Sequence, residues 1–101
     1  MAKKWDELLI EKLKNKKQAM AYLNAALEDT KEGGPENQEL LLLALRNIAK
    51  AQGGFTLLAE KTGLAREALY RSLSKKGNPK ITTLTNLMSV MGFEFKVFAK
   101  K

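Results

Sequence analysis

Residues 55–73 decide the fold, and they read FTLLAEKTGLAREALYRSL. The pattern predicts two short helices, 56–62 and 65–73, joined by a tight turn at Gly63. Gly63 supplies the positive φ that such a turn demands, and the small Ala59 suits the point where the helices approach most closely. Three leucines are expected to face inward and to fix the angle between the helices: Leu58, Leu64 and Leu69.

This spacing is typical of a DNA-binding helix-turn-helix, in which the second helix presents its outward side chains to base edges. The residues predicted to read bases are Ala65, Arg66, Glu67, Tyr70 and Arg71. Arginine can make a bidentate contact to guanine, glutamate can accept a hydrogen bond from the cytosine amino group, and alanine can touch a thymine methyl group. The other interpretation is an ordinary amphipathic helical hairpin whose charges are solvated.

Residues on either side of the second helix are predicted to contact the DNA phosphates. They are Thr56, Ser74, Lys75, Lys76, Asn78 and Lys80. Thr56 begins the first short helix, so its hydroxyl can act together with the free backbone N–H groups there; it can equally serve as a plain N-cap, and the two roles are compatible. The alternative interpretation of the basic segment 74–80 is a flexible, solvated loop that does not contact DNA.

Four further helices are predicted outside this motif from apolar periodicity and capping residues. Two precede the polar, glycine-rich segment 30–34, and a third, strongly apolar helix follows it. The last comes after the basic loop. Their expected ranges are 5–14, 15–29 with Asn15 as N-cap, 35–52 beginning at Pro35, and a final helix capped by Thr82 and ended by Gly92.

The tail changes from helical to alternating periodicity, which predicts a short C-terminal β-strand at residues 93–98. A single strand is not stable alone, so we expect it to pair antiparallel with a symmetry mate in a homodimer. The dimer interface would then contain Phe93, Phe95 and Val97. The alternative is that the tail packs against its own N-terminal helices. We treat residues 1–101 as one domain, with N-terminal helices at 1–34, a helix-turn-helix core at 35–92 and a tail at 93–101.

Composition narrows the class of function. The chain has 101 residues and 18 Lys+Arg against 11 Asp+Glu, a net charge of +7 that favours an anionic partner such as nucleic acid. It contains neither cysteine nor histidine. These absences exclude disulfides, Ser-His and Cys-His nucleophile pairs and zinc fingers, so we predict no enzyme, no cofactor and no metal. No apolar run reaches the roughly 18 residues of a membrane span, and we expect a cytoplasmic protein without membrane contact.

Four motifs in order give the chain a close resemblance to the probable addiction module antidote proteins. The motifs are Tyr22-Leu-Asn-Ala-Ala-Leu-Glu-Asp29, Leu43-Ala-Leu-Arg-Asn-Ile-Ala-Lys-Ala51, Thr62-Gly-Leu-Ala-Arg-Glu-Ala-Leu-Tyr-Arg-Ser-Leu-Ser74 and Gly77-Asn-Pro79. The resemblance implies a mainly α, lambda-repressor-like helix-turn-helix domain with about five to six helices plus the short C-terminal β-strand. It also implies a HigA-like antitoxin that binds its own promoter and neutralises a RelE/ParE-superfamily, HigB-like toxin.

Some positions depart from the family pattern or lie outside it. The family's Ser-Arg-Glu helix start is Ala65-Arg66-Glu67 here. The first fourteen residues match no motif, and Trp5, Leu8 and Leu9 are either a toxin-binding surface or part of the core. One helix-turn-helix reads a half-site, so a two-fold dimer on a pseudo-palindromic operator is expected. Two alternatives stay open: a stand-alone prophage-type repressor without a toxin, and a helical protein-interaction domain that binds no DNA.

Overall fold

The computed structural model describes residues 2–31 and 35–100, with side chains described within 5–28 and 38–100. Over these ranges the chain forms six helices, which confirms the mainly helical prediction and the number of helices. They are α1 (Ala2–Leu13), α2 (Lys16–Lys31), α3 (Pro35–Ala51), α4 (Phe55–Thr62), α5 (Arg66–Ser72) and α6 (Ile81–Val90).

Helix α3 lies at the centre of the fold, because it packs against α1, α2 and α4. Its Leu42, Leu45 and Ile48 are fully buried, as the run of leucines predicts for a helix with neighbours on two sides. Leu69 of α5, Leu73 directly after α5 and Leu87 of α6 complete the set of large, fully buried side chains. Among the described residues the core contains no buried polar or charged residue.

The α4–α5 pair forms as the sequence predicts. Gly63 has φ +76° at the end of α4, in the left-handed region that favours glycine. Leu58 and Leu69 are buried, and Ala59 and Leu64 pack against the core from partly buried positions. The inward-facing set is therefore confirmed.

One predicted N-cap is confirmed and another is wrong. Asn15 caps α2, since its Oδ1 accepts a hydrogen bond from the Gln18 N–H at 3.1 Å. Thr82 does not cap α6: the helix begins at Ile81, and the extended Lys80 is the N-cap, with no side-chain cap. The cause is the first backbone bond of the helix, from the Leu84 N–H to the Lys80 carbonyl at 2.9 Å, which places Thr82 inside the first turn.

Three side chains hold the carboxyl ends of α4, α5 and α6, where helices leave carbonyl groups without an intrahelical donor. Asn86 donates to the Thr62 carbonyl at 3.1 Å, and Gln52 donates to the Met91 carbonyl at 3.0 Å. The Arg46 guanidinium donates to the Leu73 carbonyl, where its charge also opposes the negative end of the α5 dipole. These bonds tie both short helices to the larger ones.

The predicted C-terminal strand is absent from the single chain, and the described residues contain no strand at all. The Phe93 N–H donates to the Met88 carbonyl at 2.8 Å, which fixes the start of the tail. Beyond it the tail meets no second extended segment, because every other regular element described is a helix. Without such a segment the hydrogen-bond ladder that defines a strand cannot form.

Candidate nucleic-acid interface

Helix α5 separates an exposed polar side from a buried apolar side. Arg66, Glu67, Tyr70 and Arg71 are exposed together with the N-cap residue Ala65. On the other side Leu69 and Leu73 are completely buried against the rest of the molecule. The five residues predicted to read bases therefore lie together on one exposed side of a firmly packed helix.

Tyr70 connects this exposed side to α4. Its ring packs edge-on against Phe55, with centroids 4.4 Å apart and the planes at 77°. The Arg66 guanidinium lies 5.4 Å from the centre of the Tyr70 ring, and its Nη2 donates to the Tyr70 hydroxyl at 3.3 Å. Tyr70 thus positions Arg66, a role that the sequence pattern did not suggest.

The Arg71 side chain has a different environment. It is exposed, and among the described residues it has no ion-pair or hydrogen-bond partner. A guanidinium without a protein partner keeps all five N–H donors for an outside acceptor. Of the two arginines on α5, Arg71 is therefore the one whose guanidinium has all its donors available for an external ligand.

Thr56 lies in the first turn of α4 and is exposed. Gly54 occupies the N-cap position and supplies no side-chain hydrogen bond, so the interpretation of Thr56 as the N-cap is wrong. The first backbone bond of α4 runs from the Leu58 N–H to the Gly54 carbonyl at 3.1 Å. The preceding N–H groups of the turn, including that of Thr56, are left to point outward, which suits an anionic oxygen.

The segment 74–80, which we call the basic loop, follows α5 directly. Its Lys75, Lys76, Asn78 and Lys80 are exposed, whereas the Ser74 hydroxyl donates back to the Arg71 carbonyl at 2.8 Å. Lys75 and Lys76 line an open hollow together with Gln38 and Glu39 of α3. None of the three lysines forms an ion pair with a described carboxylate. Their charge is therefore available to a partner.

The basic loop is held in place at Gly77, which is buried. Its carbonyl accepts a hydrogen bond from Gln38 Nε2 at 3.1 Å, and its N–H donates to the Ser74 carbonyl at 2.8 Å. A Cβ at this position would lie 2.0 Å from the Ser72 carbonyl oxygen. Glycine is therefore the residue that this close approach to the end of α5 requires.

Charge is concentrated in this part of the molecule. Residues 63–80 contain five Lys+Arg and a single carboxylate, Glu67. All six side chains are exposed. The surface formed by α5 and the basic loop, hereafter the basic face, is therefore strongly positive and built on two anchored elements.

Sequence reasoning missed two residues that support the basic face. Gln38 and Arg46 belong to α3 and bond to backbone 39 and 27 residues further along the chain. Such distant pairs leave no local pattern. The one available signal was Arg46 itself, a lone charge within the apolar run 40–49.

Two other predicted surfaces lie outside the basic face. Phe93 is half-buried against the core, whereas Phe95 and Val97 are exposed. On α1, Trp5 and Leu8 are 70% and 60% exposed, and Leu9 packs partly against the core. The predicted dimer and toxin surfaces are thus both apolar and both largely uncovered in the single chain.

The described residues contain no group of three or more carboxylates that could hold a metal ion. Across the same ranges, no helix is long and apolar enough to cross a membrane.

Comparison with known proteins places the chain in a family. The model of the family described as "Probable addiction module antidote protein" matches residues 3–99. A protein of Haemophilus influenzae described as an "Uncharacterized protein" is 34% identical over 87 residues, which covers 86% of this chain and 82% of that protein. No solved structure matches the chain. Since the family match takes in nearly the whole sequence, the chain belongs to the probable addiction module antidote protein family.

Proposed function

We propose that the chain is a sequence-specific DNA-binding antitoxin of the cytoplasm. It represses its own operon and neutralises a RelE/ParE-superfamily, HigB-like toxin by direct binding, without an enzymatic activity of its own. The proposal of DNA binding rests on the basic face, in which an exposed helix with two arginines adjoins an anchored basic loop. The proposal of toxin binding rests on the membership of the chain in the antidote family.

In this proposal α4 and α5 are the two helices of a lambda-repressor-like helix-turn-helix. Helix α5 enters the major groove and presents Arg66, Glu67 and Arg71 to base edges. The outward N–H groups at Thr56 and the cations of the basic loop hold phosphates on either side and set the register. Because Ser74 donates to Arg71, its contribution is the weakest of the predicted phosphate contacts.

Recognition of an operator requires two copies of the chain. One α5 reads a half-site of a few base pairs, and a two-fold dimer places a second α5 about one helical turn away on a pseudo-palindromic sequence. In this proposal the exposed apolar residues of the tail form the interface of the dimer.

The toxin is proposed to bind near the amino terminus. Trp5 and Leu8 form an exposed apolar pair on α1, and Trp5 borders a hollow that Tyr22 and Leu43 also line. Exposed apolar surface of this kind is typical of protein–protein contacts, and tryptophan is enriched at their energetic centres. In this proposal the chain neutralises the toxin by binding it stoichiometrically at this surface.

Fluorescence anisotropy with the DNA upstream of the chain's own gene tests the DNA-binding part. We expect Arg71→Ala to weaken operator binding by about 1 to 3 kcal/mol and to weaken random DNA much less. Lys75→Ala should weaken both similarly and reduce the salt slope by about one unit. Lys17→Ala is the matched control, since it removes the same charge from an exposed position on α2, a helix that is not part of the basic face.

Equal losses on operator and random DNA for Arg71→Ala would contradict base reading. Size-exclusion chromatography with the product of the adjacent gene tests the toxin-binding part. Operator binding without a complex would make the chain a stand-alone prophage-type repressor. Absence of salt-sensitive DNA binding would leave a protein-interaction domain instead.

A further inference from the structure

We infer that two copies of this chain pair through their tails in one defined antiparallel register, with Phe95 of one copy directly opposite Phe95 of the other. The inference rests on the two-fold dimer that the proposed function requires, and it specifies which residues meet. It comes from three features of residues 93–97: their conformation, their order of charges and their gradient of burial.

In the single chain the tail is an unpaired segment without regular secondary structure. Glu94 and Lys96 form an ion pair of 3.6 Å, as side chains two residues apart do when they lie on the same face of an extended chain. Apart from the Phe93 N–H, no backbone group of the described tail residues 93–100 bonds to other backbone. The segment therefore has free donors and acceptors along its length, which is what a second strand needs.

The order of residues is self-complementary. Read in either direction from Phe95, the segment runs apolar, charged, apolar, charged, apolar, but the two charges have opposite sign. In an antiparallel pair centred on Phe95, Glu94 lies opposite Lys96 of the second copy, and Lys96 lies opposite Glu94 of the second copy. A two-fold axis demands this reciprocity, and opposite charges directly across a pair of strands stabilise it. A shift of two residues would break both charge pairs.

Burial along the tail points to the same partner. On the apolar face, Phe93 packs on the core, Phe95 is 45% exposed and Val97 is 97% exposed. The antiparallel register brings the exposed Val97 of one copy beside the anchored Phe93 of the other. Beside Phe93 lies an open groove of about 390 Å³, lined by the exposed Met20 of α2 and by the chain's own tail, with room for side chains of a second copy. Each tail thus covers what the other leaves exposed.

Cysteine cross-linking tests the register cleanly, because the natural chain contains no cysteine. In the proposed pair, Phe95 positions meet with Cβ atoms about 4.5 to 5.5 Å apart, within reach of a disulfide after small adjustment. Val97 positions lie four residue steps apart, about 13 Å along the strands. We expect oxidised Phe95→Cys to form disulfide dimers at least about tenfold faster than Val97→Cys, although Val97 is the more exposed residue. Equal or faster cross-linking of Val97→Cys would overturn the register.

A second experiment uses charge and leaves the apolar residues intact. Glu94→Lys alone and Lys96→Glu alone each place like charges opposite each other in the homodimer, and we expect each to weaken dimerisation about tenfold by sedimentation. Mixing the two variants restores opposite charges across the pair, so a heterodimer should form with close to the natural affinity. The ion pair within one tail cannot produce this rescue, because it is broken in both variants.

If the mixed variants do not form a heterodimer with close to the natural affinity, the proposed register is wrong. A natural chain that sediments as a monomer while it binds its operator overturns the tail dimer and leaves DNA binding intact. A natural chain that dimerises but does not bind its operator overturns the proposed function and leaves the register standing.

Discussion

Substitution of Gly77 by alanine tests whether the basic loop is a fixed part of the basic face. A Cβ at this position would lie 2.0 Å from the Ser72 carbonyl oxygen, 2.6 Å from its carbon and 2.8 Å from the Arg71 carbonyl oxygen. These are backbone atoms at the end of α5, so no side-chain rotation can relieve the contact. The loop must retreat, and it then strains its bonds to Gln38 and Ser74.

The expected loss follows from these contacts. Overpacking costs about 1 to 3 kcal/mol, and a lost hydrogen bond adds about 0.5 to 1.5 kcal/mol. We therefore expect Gly77→Ala to lower the free energy of unfolding by about 1.5 to 4.5 kcal/mol, and to lower Tm by roughly 4 to 8 °C for each kcal/mol lost. Urea unfolding followed by far-UV circular dichroism measures the loss in the free energy of unfolding. At low temperature, where the variant is still folded, operator affinity should also fall because the lysines of the loop have moved.

Gly63→Ala is the matched control. Gly63 also sits next to α5, but a Cβ there meets nothing within 4 Å, and only its φ of +76° opposes alanine. That conformation costs about 1 to 2 kcal/mol. If Gly77→Ala proved no more destabilising than Gly63→Ala, the close approach to Ser72 would not be a rigid feature, and the anchored loop would be refuted.

Three further substitutions examine other contacts. Arg46→Leu keeps the apolar bulk but leaves the end of α5 without its charged donor, so the free energy of unfolding should fall by about 1.5 to 3 kcal/mol in urea titrations; an unchanged value would remove Arg46 as an anchor. Tyr70→Phe retains the ring against α4 but loses the hydroxyl that accepts from Arg66, so we expect nearly unchanged stability and a several-fold loss of operator over random DNA in anisotropy titrations; equal effects on both DNAs would contradict the positioning role. Trp5→Ala should weaken the complex with the adjacent gene's product by at least about 30-fold in calorimetry while leaving operator binding unchanged, and a smaller effect would place the toxin elsewhere.

Local patterns in the sequence predicted the parts of this fold that local physics determines. Apolar periodicity located the helices, Asn15 marked the start of α2, and Gly63 marked the turn before α5. The base-reading candidates were found together for the same reason, since a helical repeat fixes which residues share a side.

The features that sequence reasoning missed depend on the folded arrangement. Arg46 and Gln38 reach the basic loop and the end of α5 only once α3 lies beside them, so no spacing rule connects them to their acceptors. The role of Tyr70 likewise depends on Phe55, fifteen residues earlier and on another helix. The tail shows the opposite case, because its alternation predicted a strand but a strand needs a second segment that this chain alone does not supply.

The order in which the helices pack bears on how two partners could share so small a protein. Among the described helices, the backbone of α1 lies close only to α2 and α3, and the backbone of α5 lies close only to α4. The proposed toxin surface on α1 and the basic face on α5 are therefore separated by the central helix α3, and neither uses residues of the other. We expect a bound toxin to leave the basic face open. Any influence of the toxin on repression must then act through the tail dimer or through α3, whose Arg46 and Gln38 hold the basic face in position.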